Sequence, residues 1–217
     1  MLLTDFAATQ LEAFCESTAQ PRVEPGELER AESSPAMHFR AFLDDAEMQQ
    51  LAEAAVSMGE SSLSACGHDV SYSDSHVALN LHRGGFMKSR LPAIFGKITE
   101  GMCSEPALCD PSVRLNVRCM EYHTYVAGGG LMTEGHKDHG SALTMSILLS
   151  HAHEVGGGAL MTWHDGVPVV HDSMQRGDAL LFPSLKTHNV SPITRGIRHT
   201  LVVEMWRGAE NEQNRYR

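Results

Sequence analysis

Short strand-like runs dominate the chain from about Val113 onward and limit the folds that this part can adopt. Each run is rich in β-branched and other apolar residues, and in order they are VRCMEYHTYV, ALTMSILLS, GALMTWH, VPVVH, DALLFP and HTLVVEMW. Gly, Pro, Asp and Asn separate the runs, as in the GGG triplets at 128–130 and 156–158. Many short strands with turn residues between them are typical of a β-sandwich or a β-barrel.

The first half of the chain shows helical patterns instead. One helix is predicted over about Asp5–Glu16, and a second is predicted after Asp44, which can cap it together with Glu47. A third is predicted from Pro92, a residue suited to a first helical turn, and MHFRAFL (37–43) is a strand candidate. Helices followed by strands predict an α+β fold, with the helices packed on one face of the sheet.

A stretch rich in Pro, Glu and Ser, QPRVEPGELERAESSP, indicates a linker after the first predicted helix. We therefore divide the chain into an N-terminal helix and linker (1–35) and a single domain (36–217), with a β-rich core at about 113–207. The length of 217 residues, with 42% apolar and 20% charged residues, suits one globular domain.

The net charge and the cysteines indicate which kinds of binding partner and which cellular compartment to expect. A net charge of -10 disfavours a nucleic-acid partner, because it repels phosphate. The acidic first 20 residues do not resemble a signal peptide, and no apolar run reaches the ~18 residues of a membrane span. The five cysteines form no CxxC pair, which favours reduced thiols over disulfides or a thiolate zinc site. We expect a cytoplasmic protein without a membrane segment.

The sequence GHKDHG at 135–140 is the strongest candidate for a metal site. If this segment is extended, the side chains of His136 and Asp138 point to the same side and can bind one cation. The alternative is a solvent-exposed turn, which is common for a polar run between glycines. To complete a set of two histidines and one carboxylate, one more histidine is needed from another segment. The candidate is His188, which follows a predicted strand that ends at Phe182-Pro183. Such a set leaves positions open for substrates and favours non-haem Fe(II).

Arg198 lies ten positions after His188, at the start of the last strong strand. Thr200 shares its face of that strand. A buried guanidinium needs an anion, and a carboxylate matches its forked donors, although an exposed arginine at a strand start is the common alternative.

These features together resemble the Fe(II)/2-oxoglutarate-dependent dioxygenases. The order of HxD, a distal histidine and Arg-x-Thr is similar to that of the prolyl 4-hydroxylase-like branch, over roughly Val117–Trp206. FRAFLDDAEMQQL (39–51) resembles the strand and helix that open the domain in that branch. The resemblance implies a double-stranded β-helix, or jelly-roll, core with the N-terminal helices packed on one sheet.

The resemblance also implies roles for individual residues. It places Fe(II) on His136, Asp138 and His188, and the distal carboxylate of 2-oxoglutarate on Arg198, with Thr200 as a second donor. Tyr125 resembles the family's tyrosine in a Tyr-x-x-Gly arrangement that also reaches this carboxylate. The stretch from Gly128 to His136 is longer than is usual in prolyl hydroxylases, and many prolyl 4-hydroxylases have Lys where this chain has Arg198.

The implied reaction is hydroxylation of an unactivated C–H bond, with O2 consumed, succinate and CO2 released, and ascorbate as a candidate reductant. The carboxylate of Asp138 argues against halogenation, because halogenating relatives have a small residue there. The substrate is expected to be a small molecule or a peptide: a peptidyl prolyl or lysyl side chain, or an amino-acid-like compound. Two alternatives are a cupin-type metal-dependent dioxygenase that does not use 2-oxoglutarate and a catalytically silent binding module.

Other residues near these motifs allow more than one role. His139 and Trp206 are candidates for substrate contact, and AGGGLMTEG (127–135) suits either a lid or a plain loop. The remaining histidines on or beside strands are expected to be hydrogen-bonded or solvent-facing, not metal ligands: His123, His151, His153, His164, His171 and His199.

Overall fold

The computed structural model describes residue 23 and residues 26–62, 69–110 and 112–213, with only the backbone given for 60–62 and 69–73. The helix predicted at Asp5–Glu16 lies outside the described residues. Helices within the described part are α1 (Glu27–Ser33), α2 (Asp45–Ser62), α3 (Phe86–Arg90) and α4 (Pro92–Cys103). None of these described helices combines the length and the apolar composition of a membrane span.

The strands of the described residues form three antiparallel sheets. In chain order they are β1 (Met37–Phe39), β2 (Asp69–Ser73), β3 (His76–Asn80), β4 (Asn116–Tyr125), β5 (Leu143–Leu148), β6 (Gly156–Gly157), β7 (Leu160–His164), β8 (Val167–His171), β9 (Ala179–Pro183), β10 (His188–Val190), β11 (Ile193–Arg195) and β12 (Arg198–Trp206). The large sheet has seven strands in the order β1-β9-β5-β12-β4-β3-β2, and the smaller sheets are β10-β7-β8 and β11-β6.

One face of the large sheet packs against α2, α3 and α4. The start of α2 has the predicted capping pair: Asp44 Oδ1 accepts from Glu47 N at 2.8 Å, and Asp44 N donates to Glu47 Oε2 at 2.8 Å. The apolar faces of the helices are buried with the outward residues of the sheet, including Leu51, Met87, Ile98, Met145 and Leu201. The predicted helical packing on one sheet is therefore confirmed.

The other face of the large sheet meets the β10-β7-β8 sheet across a second, smaller apolar cluster, formed by Leu160, Met174, Leu180, Phe182 and Val190. Two sheets that close over an interior make the predicted jelly-roll core. Pairing of β3, β4 and β12 places His76, Tyr125 and Arg198 side by side in this interior. Because inward residues alternate along a strand, His123 and Thr200 form the next row.

Two local expectations were wrong. The stretch expected to be a linker contains α1, which is held to the body by buried Ala31 and by side chains described below. The strand predicted over 37–43 ends at Phe39, because Ala41 has a φ of 47° and its N–H donates to Asp178 Oδ1 at 2.8 Å. That bond turns the chain out of the sheet before α2.

The β2–β3 hairpin was missing from the sequence prediction. Its inner residues on β3 are His76, Ala78 and Asn80, and all three are buried. A strand whose buried face is polar does not show the alternation of apolar and polar residues by which strands are recognised.

Candidate active site

Three side chains from two separate segments converge at the mouth of the jelly roll. His136 and Asp138 lie in the loop between β4 and β5, and His188 begins β10. Their candidate ligand atoms all lie within 4.8 Å of one another. Asp138 Oδ1 is 3.4 Å from His136 Nε2, and Asp138 Oδ2 is 3.4 Å from His188 Nε2. Two imidazoles facing one carboxylate form a donor set suited to a divalent transition metal.

Hydrogen bonds orient the side chains of Asp138 and His188 and join the two segments that carry the cluster. His188 Nδ1 lies 3.0 Å from the carbonyl oxygen of Lys186, which leaves Nε2 to face the cluster. Asp138 Oδ2 accepts from Thr144 Oγ1 at 2.8 Å, and Asp138 N donates to Ser184 O at 2.9 Å. His188 N donates to His136 O at 3.1 Å, so the two segments are joined beside the cluster. A site held in this way needs little rearrangement to take up a metal.

Arg198 extends into the same cavity and is only 4% exposed. Its Nη1 donates to Thr200 Oγ1 at 3.2 Å, and its Cζ lies 5.5 Å from the centre of the Tyr125 ring. Within the described part of the chain it forms no salt bridge, and its Nε has no hydrogen-bond partner. Burial lowers the pKa of Arg198. A buried guanidinium without a counter-ion is costly, so this arrangement suits the binding of an anion.

Tyr125 lies beside Arg198 at the end of β4. Burial raises the pKa of Tyr125 to about 12, although nearby Arg198 opposes the shift. The phenol is therefore protonated near neutral pH and can donate a hydrogen bond. The structure brings Tyr125, Thr200 and Arg198 together on the inner face of two paired strands, in the same cavity as the His-Asp-His cluster.

A chain of buried polar side chains was not recognised in the sequence. His76 Nε2 lies 2.8 Å from His123 Nδ1, and His123 Nε2 lies 3.1 Å from Glu121 Oε2. The His76 ring stacks on Tyr125 with 3.9 Å between ring centres. The sequence did carry one signal: Glu121, His123 and Tyr125 alternate along one strand and so share its inner face. His123 is hydrogen-bonded, as expected, and it also lines the cavity.

The His76 environment predicts a loss of stability in mild acid. Burial lowers the pKa of His76 from 6.5 to about 4; the electrostatic influence of His123 and Arg198 adds to this, while Glu121 opposes it. The pKa is lower in the folded protein, so the stabilising contribution is complete above pH 6.5 and is lost as the pH falls toward 4. We expect the contribution of His76 to the free energy of unfolding to fall by roughly 1–2 kcal/mol between pH 7 and pH 5.

Urea denaturation at both pH values measures this loss. The pKa values of three other histidines are also lowered, chiefly by burial, so His76→Gln should reduce the pH dependence without removing it; they are His82, His171 and His199. The same change at exposed His153 serves as the control. A pH dependence of the same size in His76→Gln and in the unaltered protein would contradict the assignment.

Other candidate residues lie away from the cavity. Trp206 lies eight residues along β12 from Arg198, where its Nε1 donates to Ala209 O at 2.8 Å. His139 is exposed, and its carbonyl oxygen accepts from Arg118 Nη1 at 2.6 Å. The loop expected to be either a lid or a plain loop is tied to β10 by paired hydrogen bonds of 2.9 Å between Leu131 and Val190.

The sequence matches no family model and no curated protein. Solved structures give strong matches to the fold. One is an oxidoreductase of the 2OG-Fe(II) oxygenase family from Burkholderia pseudomallei, with 12% identity, a TM-score of 0.58, and 88% of this chain and 96% of that chain covered. Another is a prolyl-4-hydroxylase from Pseudomonas putida, with 14% identity, a TM-score of 0.56, and coverage of 84% and 97%.

A third match is a prolyl hydroxylase from Trichoplax adhaerens, solved with a peptide fragment of the hypoxia inducible factor oxygen degradation domain. It is 12% identical, with a TM-score of 0.60 and 93% of each chain covered. At these identities the matches show the fold. The expected fold class is thus confirmed: this chain has the jelly-roll fold of the 2-oxoglutarate–Fe(II) oxygenases and prolyl hydroxylases.

Proposed function

We propose that this protein is an Fe(II)- and 2-oxoglutarate-dependent dioxygenase that hydroxylates an unactivated C–H bond and releases succinate and CO2. The observation that carries the proposal is the pairing of two features in one cavity. A His-Asp-His cluster lies in the same cavity as a buried arginine without a counter-ion among the described residues. One feature suits a metal and the other suits the far end of a dicarboxylic acid.

Each group has a defined task in this proposal. His136, Asp138 and His188 would hold Fe(II), which when bound supplies the O2 chemistry that side chains cannot perform. Arg198 and Thr200 would bind the distal carboxylate of 2-oxoglutarate, and the Tyr125 hydroxyl would donate to the same group. These donors lie in a buried interior, where each hydrogen bond to a charged group is strengthened by the exclusion of water.

The two walls of the cavity differ in chemistry. The large sheet contributes a polar side with His76, His123 and Arg198. The opposite side is apolar and is lined by Leu131, Leu160 and Val190, and Phe182 of β9 extends this apolar lining onto the large sheet. We assign the apolar wall to the substrate, because an unactivated C–H bond belongs to an aliphatic group. A peptidyl prolyl or lysyl side chain, or an amino-acid-like compound, fits this chemistry, and one structural neighbour is a prolyl hydroxylase solved with a peptide.

The rest of the proposal follows the chemistry of the site. The carboxylate of Asp138 in the cluster favours hydroxylation over halogenation. We also propose ascorbate as the reductant that restores Fe(II), a cytoplasmic location, and a partner that is a peptide or small molecule and not a nucleic acid. The domain is proposed to span 36–217, with the addition of α1 argued below.

The second candidate function is a cupin-type dioxygenase or metal-binding jelly roll that does not use 2-oxoglutarate. Cupin sites usually gather three or four histidines, whereas the cluster here has two histidines and a carboxylate. The buried Arg198 would have no task in such a protein. A silent binding module would retain the metal site and lack turnover.

Turnover can be tested without knowing the substrate. Protein loaded with Fe(II) is incubated with 2-oxoglutarate, ascorbate and O2 against peptide and metabolite libraries, and succinate is measured together with products that gain one oxygen atom. We expect substrate-dependent succinate formation matched by oxygen insertion. If the protein binds both iron and 2-oxoglutarate but no succinate forms under any condition, the result would instead support the silent module.

A further inference from the structure

The α1 helix is joined to both segments that carry the candidate metal ligands. Glu32, in the last turn of α1, forms an ion pair with Lys137, the residue between His136 and Asp138. Glu32 Oε1 also accepts from Thr187 Oγ1 at 2.6 Å and from Thr187 N at 3.2 Å. Thr187 is the residue before His188. The Glu32 carboxylate therefore contacts a residue adjacent in sequence to each of the three candidate ligands.

Lys186 adds a second connection to the same helix. Its side chain is fully buried, and its Nζ donates to Glu32 O at 2.6 Å and to Ala31 O at 3.2 Å. These are carbonyl oxygens in the last turn of α1, where the helix dipole favours a cation. The carbonyl oxygen of Lys186 in turn lies 3.0 Å from His188 Nδ1. Lys186 therefore binds the last turn of the helix through its side chain and orients a candidate ligand through its carbonyl oxygen.

A direct contact between the two ligand-bearing segments adds to these connections. Lys137 also donates to Thr187 Oγ1, so the HKD loop and the start of β10 are bridged directly as well as through Glu32. The Lys137 and Glu32 side chains are 14% and 24% exposed, which makes this pair more shielded from water than an ordinary surface salt bridge. Removing one partner of such a pair leaves the other charge unmatched, which is costly in a shielded position.

We propose that α1 is an integral part of the metal site and that Glu32 is its positioning residue, which sets the distance between the HKD loop and the strand that begins at His188. This inference rests on the proposed ligand set. It assigns residues 27–33 to the catalytic domain and not to a linker. It also makes metal affinity depend on a segment that supplies no ligand.

The test compares Glu32→Gln with Glu29→Gln. Glu29 lies one turn earlier on the same helix, is exposed, and takes part in no salt bridge among the described residues, so the pair is matched in charge and helix position. Affinities for Co(II) and for Fe(II) are measured without O2, together with the thermal unfolding of each metal-free variant. We expect Glu32→Gln to weaken metal binding roughly 10–100-fold, as is typical for residues that orient ligands, and Glu29→Gln to have no effect.

A second variant separates positioning from folding. Thr187→Val keeps the size of the side chain and removes the hydroxyl that joins Glu32 and Lys137, and it should weaken metal binding in the same direction. Unchanged metal affinity in Glu32→Gln and Thr187→Val, or in Thr187→Val alone should Glu32→Gln fail to fold, would overturn the inference. Failure of the unaltered protein to bind either metal would instead contradict the proposed function itself.

Discussion

Replacing Asp138 by alanine is expected to abolish both Fe(II) binding and turnover. The carboxylate is 4% exposed and faces both imidazoles at 3.4 Å, so its loss removes the anionic ligand of the set and leaves only the two imidazoles. Thr144 and Ser184, whose hydroxyls lie 2.8 Å apart, can satisfy each other when the carboxylate is gone, and the variant should therefore fold.

Metal content by elemental analysis and succinate formation measure the effect. Glu134→Ala serves as the control, because Glu134 is an exposed acid in the same loop. A variant Asp138→Ala that bound iron normally and retained full hydroxylation would show that this carboxylate is not a ligand. Binding of chloride with halogenated product in that variant would, in contrast, agree with the assigned position of Asp138.

Replacing Arg198 by glutamine is expected to weaken 2-oxoglutarate binding by about 2–5 kcal/mol, which is roughly 30-fold to several thousand-fold in affinity. The guanidinium is buried, forms no salt bridge within the described residues and shares the cavity with the His-Asp-His cluster. Loss of the charge would leave the distal carboxylate of the cosubstrate desolvated and unmatched. Metal affinity should remain unchanged, because Arg198 is not a ligand.

The KM for 2-oxoglutarate and direct titration of the iron-loaded protein provide the measurement. Arg195→Gln is the matched control, since Arg195 lies three residues earlier, at the end of β11, and its side chain is exposed. Arg198→Lys should lie between the two, because it keeps the charge and loses the forked donors. Equal affinities for 2-oxoglutarate in Arg198→Gln and in the unaltered protein would remove the basis for assigning this residue to the cosubstrate.

Much of the core could be predicted from the sequence because its strands follow simple rules. β8 has the bounds of the VPVVH run, and α4 begins at Pro92, as its residue type suggests. The capping pair of Asp44 and Glu47 forms as expected. Each of these depends on local spacing alone, which the sequence shows directly.

The parts that escaped prediction depend on contacts between distant segments. Glu121, His123 and His76 form one chain only because β3 pairs with β4, and that register is not visible in a polar hairpin. The α1 helix is short, and its side chains and carbonyl oxygens are held by Lys137, Lys186 and Thr187, all more than 100 residues away. Tertiary contacts decided both features, and local patterns could not show them.

The central claim is that one cavity holds Fe(II) at the His-Asp-His cluster and 2-oxoglutarate at Arg198 together. Absorption spectroscopy without O2 tests it most directly, because a keto acid that chelates Fe(II) gives a visible charge-transfer band. We predict that the band appears when both are added to the unaltered protein, is absent in Asp138→Ala, and needs far more 2-oxoglutarate in Arg198→Gln. Folded protein that binds iron but develops no band at saturating 2-oxoglutarate would contradict the claim and favour the cupin alternative.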